Sequence, residues 1–150
     1  MSEMRELYQE MIIDHSRSPR NHGKLNHANL FAKGNNPLCG DEIDMEVFRT
    51  DEGVLSEIGF EATACAICTA SASILTETLK GKAEKEVRSI FEMFHSTVTG
   101  EISESYPPEL MKLEVFTGVK DYPSRVKCAT LAWHTLMQAL EEKSGEASTE

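Results

Sequence analysis

Nothing in the 150 residues approaches the unbroken apolar length that a membrane-spanning helix needs. Membrane insertion is therefore not expected. Positive charge is scarce as well: 15 Lys and Arg against 25 Asp and Glu leave a formal net charge of −10. Phosphate backbones are bound through Lys and Arg, so nucleic acid is excluded as the expected partner. A protein surface of basic character suits this charge better, although acidity of this kind also serves solubility alone. No apolar run stands behind Met1-Ser2-Glu3-Met4-Arg5, as it would in a secretory leader, and a cytoplasmic location is the expectation. No internal repeat and no second domain is visible. The length suits one domain, and a hydrophobic content of 40% suffices for one core.

Hydropathy patterning predicts the elements. Met4, Leu7, Tyr8, Met11 and Ile12 recur at helical spacing over residues 3–14. Pro19 and Gly23 end that regularity, and 15–38 reads as a loop with one short strand around Leu30 to Lys33. Ile43, Met45 and Val47 then alternate with polar neighbours, as do Ile58, Phe60 and Ala62, with Asp51-Glu52-Gly53 between them as a turn. A two-residue Glu52-Gly53 loop places Asp51 opposite Val54. It also pairs Val47 with Ile58, Met45 with Phe60 and Ile43 with Ala62, so the apolar faces coincide. Helices are predicted over 67–80 with Gly81 as cap, over 83–98, briefly over 109–113 after Pro107-Pro108, and over 124–142 after Pro123. Residues 1–142 form the expected domain and 143–150 a flexible polar tail. The class is α+β, a small antiparallel sheet of about three strands packed against several helices.

The chemistry-bearing residues are Cys39, Cys65, Cys68 and Cys128. In a reducing compartment, cysteines are more often ligands, nucleophiles or inert core residues than disulfides. Extending the hairpin register puts Cys39 across from Ala66 and Gly40 across from Cys65, at cross-strand spacing of roughly 5 Å. Asp41, two residues from Cys39, shares its face if the segment is extended. Cys128 lies near the start of the last helix, where the helix dipole and the cations Arg125 and Lys127 favour a thiolate. If that helix end packs on the open end of the hairpin, three sulfurs and an oxygen converge, a set suited to zinc or iron–sulfur chemistry. Each cysteine taken alone also reads as a small buried hydrophobe.

Cys65-Ala66-Ile67-Cys68 forms a C-x-x-C that invites a thiol-oxidoreductase reading, yet it follows an antiparallel hairpin rather than a βαβ strand. Cys65 is the favoured ligand and Cys68 a bystander, with a reserve role under oxidation. His15, His22 and His27 default to surface or capping roles, and His95 and His134 lack an acidic or cysteine partner at ligand spacing. Gly34-Asn35-Asn36-Pro37 is turn chemistry that positions Cys39.

Several segments carry a family resemblance. Leu7-Tyr8, Ile13-Asp14-His15, Pro19-Arg20-Asn21 and Gly23-Lys24-Leu25 resemble the N-terminal signature of the NifU/IscU/SufU iron–sulfur cluster assembly proteins. Asn36-Pro37-Leu38-Cys39-Gly40-Asp41 is similar to their first ligand motif. Cys65 with Thr69-Ala70-Ser71-Ala72-Ser73 and Lys80-Gly81-Lys82 is similar to the second, and Tyr122 to Trp133 around Cys128 to the third. Lys127 stands where the IscU branch has His, and the stretch from Phe94 to Leu113 is longer than in that branch; both features resemble the SufU branch.

The resemblance implies a SufE/NifU-like fold and a metal held by Cys39, Asp41, Cys65 and Cys128. It implies zinc, or a transient [2Fe–2S] cluster, as occupant. It also implies persulfide transfer from a SufS-type cysteine desulfurase to Cys39, with Cys128 as the alternative acceptor, and delivery to downstream Fe–S carrier or acceptor proteins. Such a protein is more a scaffold or sulfur carrier than an enzyme, although a zinc-dependent sulfurtransferase is within its range. A zinc module that only activates the desulfurase is the competing reading, and a C-x-x-C oxidoreductase a minor one. Two positions depart from the family. Ala64 replaces the usual Gly and would be strained if a positive φ were needed, and Cys68 replaces the usual Ser.

Overall fold

The structure, a computed structural model, describes residues 2–100, 106–141 and 146–148. The chain runs through α1 (Ser2–Arg17), β1 (Leu30–Asn36), β2 (Asp41–Arg49), β3 (Val54–Thr63), α2 (Ala66–Leu79) and β4 (Lys82–Ala83). It continues with α3 (Glu84–Val98), a 3₁₀ segment (Pro108–Asp121), α4 (Pro123–Leu140) and β5 (Glu146–Ser148). The sheet order is β4-β3-β2-β1-β5, antiparallel except where β5 joins β1 in parallel. The expected α+β class holds, with the main hairpin and β1 as its three long strands. Of the expected tail 143–150, Glu146–Ser148 pair with Lys33–Asn35 as an edge strand; the rest lies outside the described residues.

The hairpin pairs as the apolar alternation demands: Val47 with Ile58, Met45 with Phe60, Ile43 with Ala62. Its turn differs from the expected two-residue loop. The Thr50 N–H donates to Val54 O (2.9 Å) and the Gly53 N–H to Thr50 O (2.9 Å), so three residues form the loop and Thr50, not Asp51, faces Val54. Gly53 sits at φ +85°, where glycine has no Cβ to clash. The extra residue is absorbed by a bulge: Phe48 pairs with Glu57 but Arg49 with Leu55, skipping Ser56. The two deviations cancel, and the apolar faces still meet.

Two elements are longer than the sequence predicts. β1 spans seven residues because its inward positions are Leu30, Ala32, Gly34 and Asn36, too small or polar to stand out as an apolar alternation. The 3₁₀ segment replaces a short helix. Its buried Leu110, Leu113, Phe116 and Val119 recur every third residue, and three residues per turn is the 3₁₀ period.

The helices cover one face of the sheet, and the core lies between them. Trp133 of α4 stacks on Phe94 of α3 (centroids 4.3 Å apart) and donates its Nε1 hydrogen to Ser71 Oγ of α2 (3.1 Å). Ser71 in turn donates to Ala129 O (2.6 Å). α4 crosses β1 at Gly34, where an added Cβ would overlap Thr135 Oγ1 and press on Leu131 and Ile43 at 3.1 and 3.2 Å. That glycine lets the helix come close enough to bring Cys128 to the end of the strand. Among the described residues no helix is long and apolar enough to cross a membrane.

Candidate metal centre

Asn36 ends β1, Asp41 begins β2, and the two residues are paired. The turn between them is built by Asn36, whose carbonyl accepts the N–H groups of Cys39 (3.2 Å) and Gly40 (2.9 Å). Gly40 takes φ +73°. Cys39 therefore sits exposed on a turn rather than in an extended continuation of β2. The expected pairing of Cys39 with Ala66 and of Gly40 with Cys65 does not form, because the β2–β3 ladder stops at Glu42 and Thr63. Pro37, lacking an N–H, and Gly40, free to turn left-handed, break the strand there.

Cys65 is the N-cap of α2. Its Sγ accepts the Cys68 N–H at 3.4 Å, and its own N–H donates to Asp41 Oδ1 at 2.8 Å. Asp41 is buried with that oxygen committed. Its second oxygen, Oδ2, faces the sulfurs, with Cys128 Sγ at 3.2 Å and Cys65 Sγ at 3.9 Å. Cys128 Sγ also lies 3.6 Å from Cys39 Sγ. One ligand atom each from Cys39, Asp41 and Cys128 fall within 4.8 Å of one another. The structure thus brings Cys39, Asp41 and Cys128 into one tight set, with Cys65 joined to it through Asp41.

Cys128 is buried and stands beyond the helix terminus that was expected to favour its thiolate. Burial, reinforced by hydrogen bonds to Asp41 and Cys65, pushes its thiol well above the ordinary range. Helix α4 begins at Pro123, so Cys128 lies in its second turn, past the reach of the terminal dipole. Arg125 is exposed and lies over the Tyr122 ring (4.6 Å), and Lys127 is half-buried. A soft cation bound at Cys128 would favour the thiolate, because a ligating thiol releases its proton to solvent when it binds a metal.

The donor set fits such a cation: sulfurs for zinc or iron, and one carboxylate oxygen as a harder, weaker ligand. Asn36 supplies a further sign. Its side chain is fully buried; Nδ2 donates toward Asp41 Oδ2 (3.4 Å) and Cys128 Sγ (3.6 Å), while Oδ1 has no partner. Sequence reasoning placed Asn36 only in the turn and missed this role. The available signal was its position, the inward parity of β1.

The remaining candidates separate cleanly. Cys68 is sealed in the core with its thiol raised by burial, and it offers Cys65 only its backbone N–H. Ala64 is unstrained, since Asn21 is the one non-glycine with positive φ among the described residues. His22 and His27 are exposed, as expected. His15 is not a surface residue: it is buried, its Nδ1 is 2.7 Å from Ser73 Oγ, and burial lowers its pKa. His95 and His134 meet edge to face (5.6 Å) but belong to no cluster of three ligand groups among the described residues.

Known proteins resemble this chain in sequence and fold. Residues 7–129 match the family model described as the NifU-like N-terminal domain. The chain is 35% identical over 144 residues to the iron–sulfur cluster assembly scaffold protein IscU of Streptococcus pyogenes serotype M1, covering 96% of this chain and 89% of that protein. It is 36% identical over 140 residues to the zinc-dependent sulfurtransferase SufU of Bacillus subtilis, covering 93% and 92%. A crystal structure described as an iron–sulfur cluster assembly scaffold protein for the SUF system of Fervidobacterium islandicum superposes with a TM-score of 0.79 at 33% identity, covering 87% and 94%. The chain belongs to the NifU-like N-terminal domain family of iron–sulfur cluster assembly proteins.

Proposed function

We propose that this chain serves iron–sulfur cluster assembly by holding a metal through Cys39, Asp41, Cys65 and Cys128 and by accepting persulfide sulfur on Cys39. The observation that carries the reading is the convergence of Cys39, Asp41 and Cys128, residues from two ends of the chain, around one carboxylate oxygen. Zinc as the resident ion, with a [2Fe–2S] cluster as transient cargo, suits three sulfurs and an oxygen. A cation held there would favour the thiolate form of Cys39, Cys65 and Cys128.

The residues divide the work. Cys39 is the exposed sulfur and Cys128 the buried one, so Cys39 is the acceptor and Cys128 the anchor. The Cys39 thiolate attacks the outer sulfur of a cysteine persulfide on the donor. The donor's sulfur–sulfur bond breaks, the donor leaves as a thiolate, and Cys39 becomes the persulfide with no net oxidation. The donor is a cysteine desulfurase of the SufS type, and the recipients are downstream Fe–S carrier or acceptor proteins. The sealed Cys68 leaves the C-x-x-C without a second accessible thiol, against an oxidoreductase role.

The test is to mix zinc-loaded protein with the desulfurase and cysteine, then map persulfides by alkylation and mass spectrometry. Sulfur on Cys39, absent in Cys39→Ser, is the expected result. Activation of the desulfurase with every cysteine of this chain unmodified would leave it a passive zinc partner and overturn sulfur transfer.

A further inference from the structure

Asn36 stands where β1, the start of β2 and α4 meet, and two of its groups act on the site. Its carbonyl accepts the Cys39 and Gly40 N–H groups and so shapes the turn that carries the exposed sulfur. Its side-chain amide lies 3.4 Å from Asp41 Oδ2 and 3.6 Å from Cys128 Sγ. Asp41 Oδ1 already takes the Cys65 N–H, which leaves Oδ2 as the oxygen available to an ion. From one NH₂ group, Asn36 thus reaches the ligand oxygen and the buried ligand sulfur together.

The unpartnered Oδ1 shows which half of the amide the fold uses. A buried carbonyl oxygen with no donor is a cost that folded proteins rarely carry without a compensating role. Flipping the amide would turn that oxygen toward the Asp41 carboxylate, an acceptor facing an acceptor, and leave the NH₂ without one. The orientation that places the hydrogens on Oδ2 and Sγ is the one the site chemistry requires.

We infer that Asn36 is a positioning residue of the metal centre: its amide clamps Asp41 to bind through Oδ2 alone and holds the Cys128 sulfur beside it, so setting how fast the ion is released. The inference rests on the ligand set proposed above. An ion at the centre would sit between Cys128 Sγ and Asp41 Oδ2, which lie 3.2 Å apart. Asn36 is not itself a ligand, so its amide holds the two ligands in register with and without the ion. Outer-shell groups of this kind typically change metal affinity by about 10–100-fold when removed.

The experiment compares wild type, Asn36→Ala, the near-isosteric Asn36→Asp and a distant control, Asn29→Ala. The Asn29 side chain hydrogen-bonds the backbone of Arg49, away from the centre. Zinc content and transfer to a competing chelator give affinity and release rate, and cobalt substitution reports ligand geometry through its visible d–d bands. The expected result is about a 10–100-fold loss of affinity in both Asn36 variants. It comes with faster release, displaced cobalt bands and retained thiolate-to-cobalt charge transfer, while Asn29→Ala matches wild type. Release within twofold of wild type and unmoved cobalt bands overturn the inference. If an Asn36 variant folds only with metal, the zinc concentration at its folding midpoint is the readout, and a wild-type midpoint overturns the role. A variant that stays unfolded in saturating zinc assigns Asn36 to folding alone and also overturns it. Absence of zinc from wild type sinks the ligand set itself, a result distinct from any of these.

Discussion

Two buried polar clusters in this molecule are built on opposite terms. Between α1, α2 and α4, nearly every group is answered by another. Ser73 Oγ meets His15 Nδ1 (2.7 Å) and the Arg20 N–H (2.9 Å), Thr76 donates to Ser73 O (2.7 Å), and Trp133 and Ala129 share Ser71. At the end of the sheet, the Asn36, Asp41, Cys65 and Cys128 cluster has one short bond, from the Cys65 N–H to Asp41 Oδ1 (2.8 Å), and otherwise contacts of 3.2–3.9 Å. It also leaves the Asn36 carbonyl unanswered. The first cluster is complete in the protein alone and fastens helices to one another. The second is a set of donors whose natural completion is a cation. Burial of polar groups therefore identifies function here only when the partners are counted.

The comparison is tested most severely at Cys128. Structural zinc sites bind with about 10–16 kcal/mol shared over four ligands, so removing one costs about 3 kcal/mol. Cys128→Ala should thus lower zinc affinity by a hundredfold or more; a titration against a chromophoric chelator checks this. Gly34→Ala comes next, because the new Cβ overlaps Thr135 Oγ1 where α4 crosses β1. Overpacking there should cost about 1–3 kcal/mol in urea unfolding and weaken zinc binding too, and adding Thr135→Ala should restore part of both. Ser73→Ala should cost a similar or smaller amount, about 1–3 kcal/mol, by stranding His15 and the Arg20 N–H, yet leave zinc affinity unchanged. A matching loss of zinc would erase the distinction between the clusters.

The smallest effect is expected from pH. Burial, followed by the nearby Arg20 charge, holds the His15 pKa below its ordinary 6.5. The folded state then binds fewer protons than the unfolded one, so this contribution is complete above pH 6.5 and is lost as pH falls below it. His134, lowered by burial and by His95, acts in the same direction. Metal-free His15→Gln should lose less stability than metal-free wild type between pH 7 and about pH 5, with a residual slope from His134. Equal slopes would show that His15 does not titrate with unfolding.

Much of the architecture was legible in local pattern. The hairpin register follows from period-two alternation at Ile43, Met45, Val47, Ile58, Phe60 and Ala62, and it survived a misjudged turn because a bulge absorbed the extra residue. The helix ends follow from Gly81 and Pro123. The elements that were misread lack the usual signals. β1 hides its inward face in Ala32, Gly34 and Asn36, and the 3₁₀ segment repeats with a period of three rather than 3.6. At the site, the identities of Cys39, Asp41, Cys65 and Cys128 came from motifs, whereas their geometry did not. Cys39 was expected on an extended strand and stands on a turn.

The amino-acid sequence by itself determined which donors exist and in which local setting each is presented, because turns, caps and alternation depend on neighbours along the chain. Only the tertiary structure decided that Cys128 reaches Asp41, that Asn36 aims its amide at both, and that burial pushes the Cys128 thiol up. Those outcomes depend on how closely α4 crosses β1 and on what surrounds each atom in space. No local pattern encodes the separation of residues 87 positions apart.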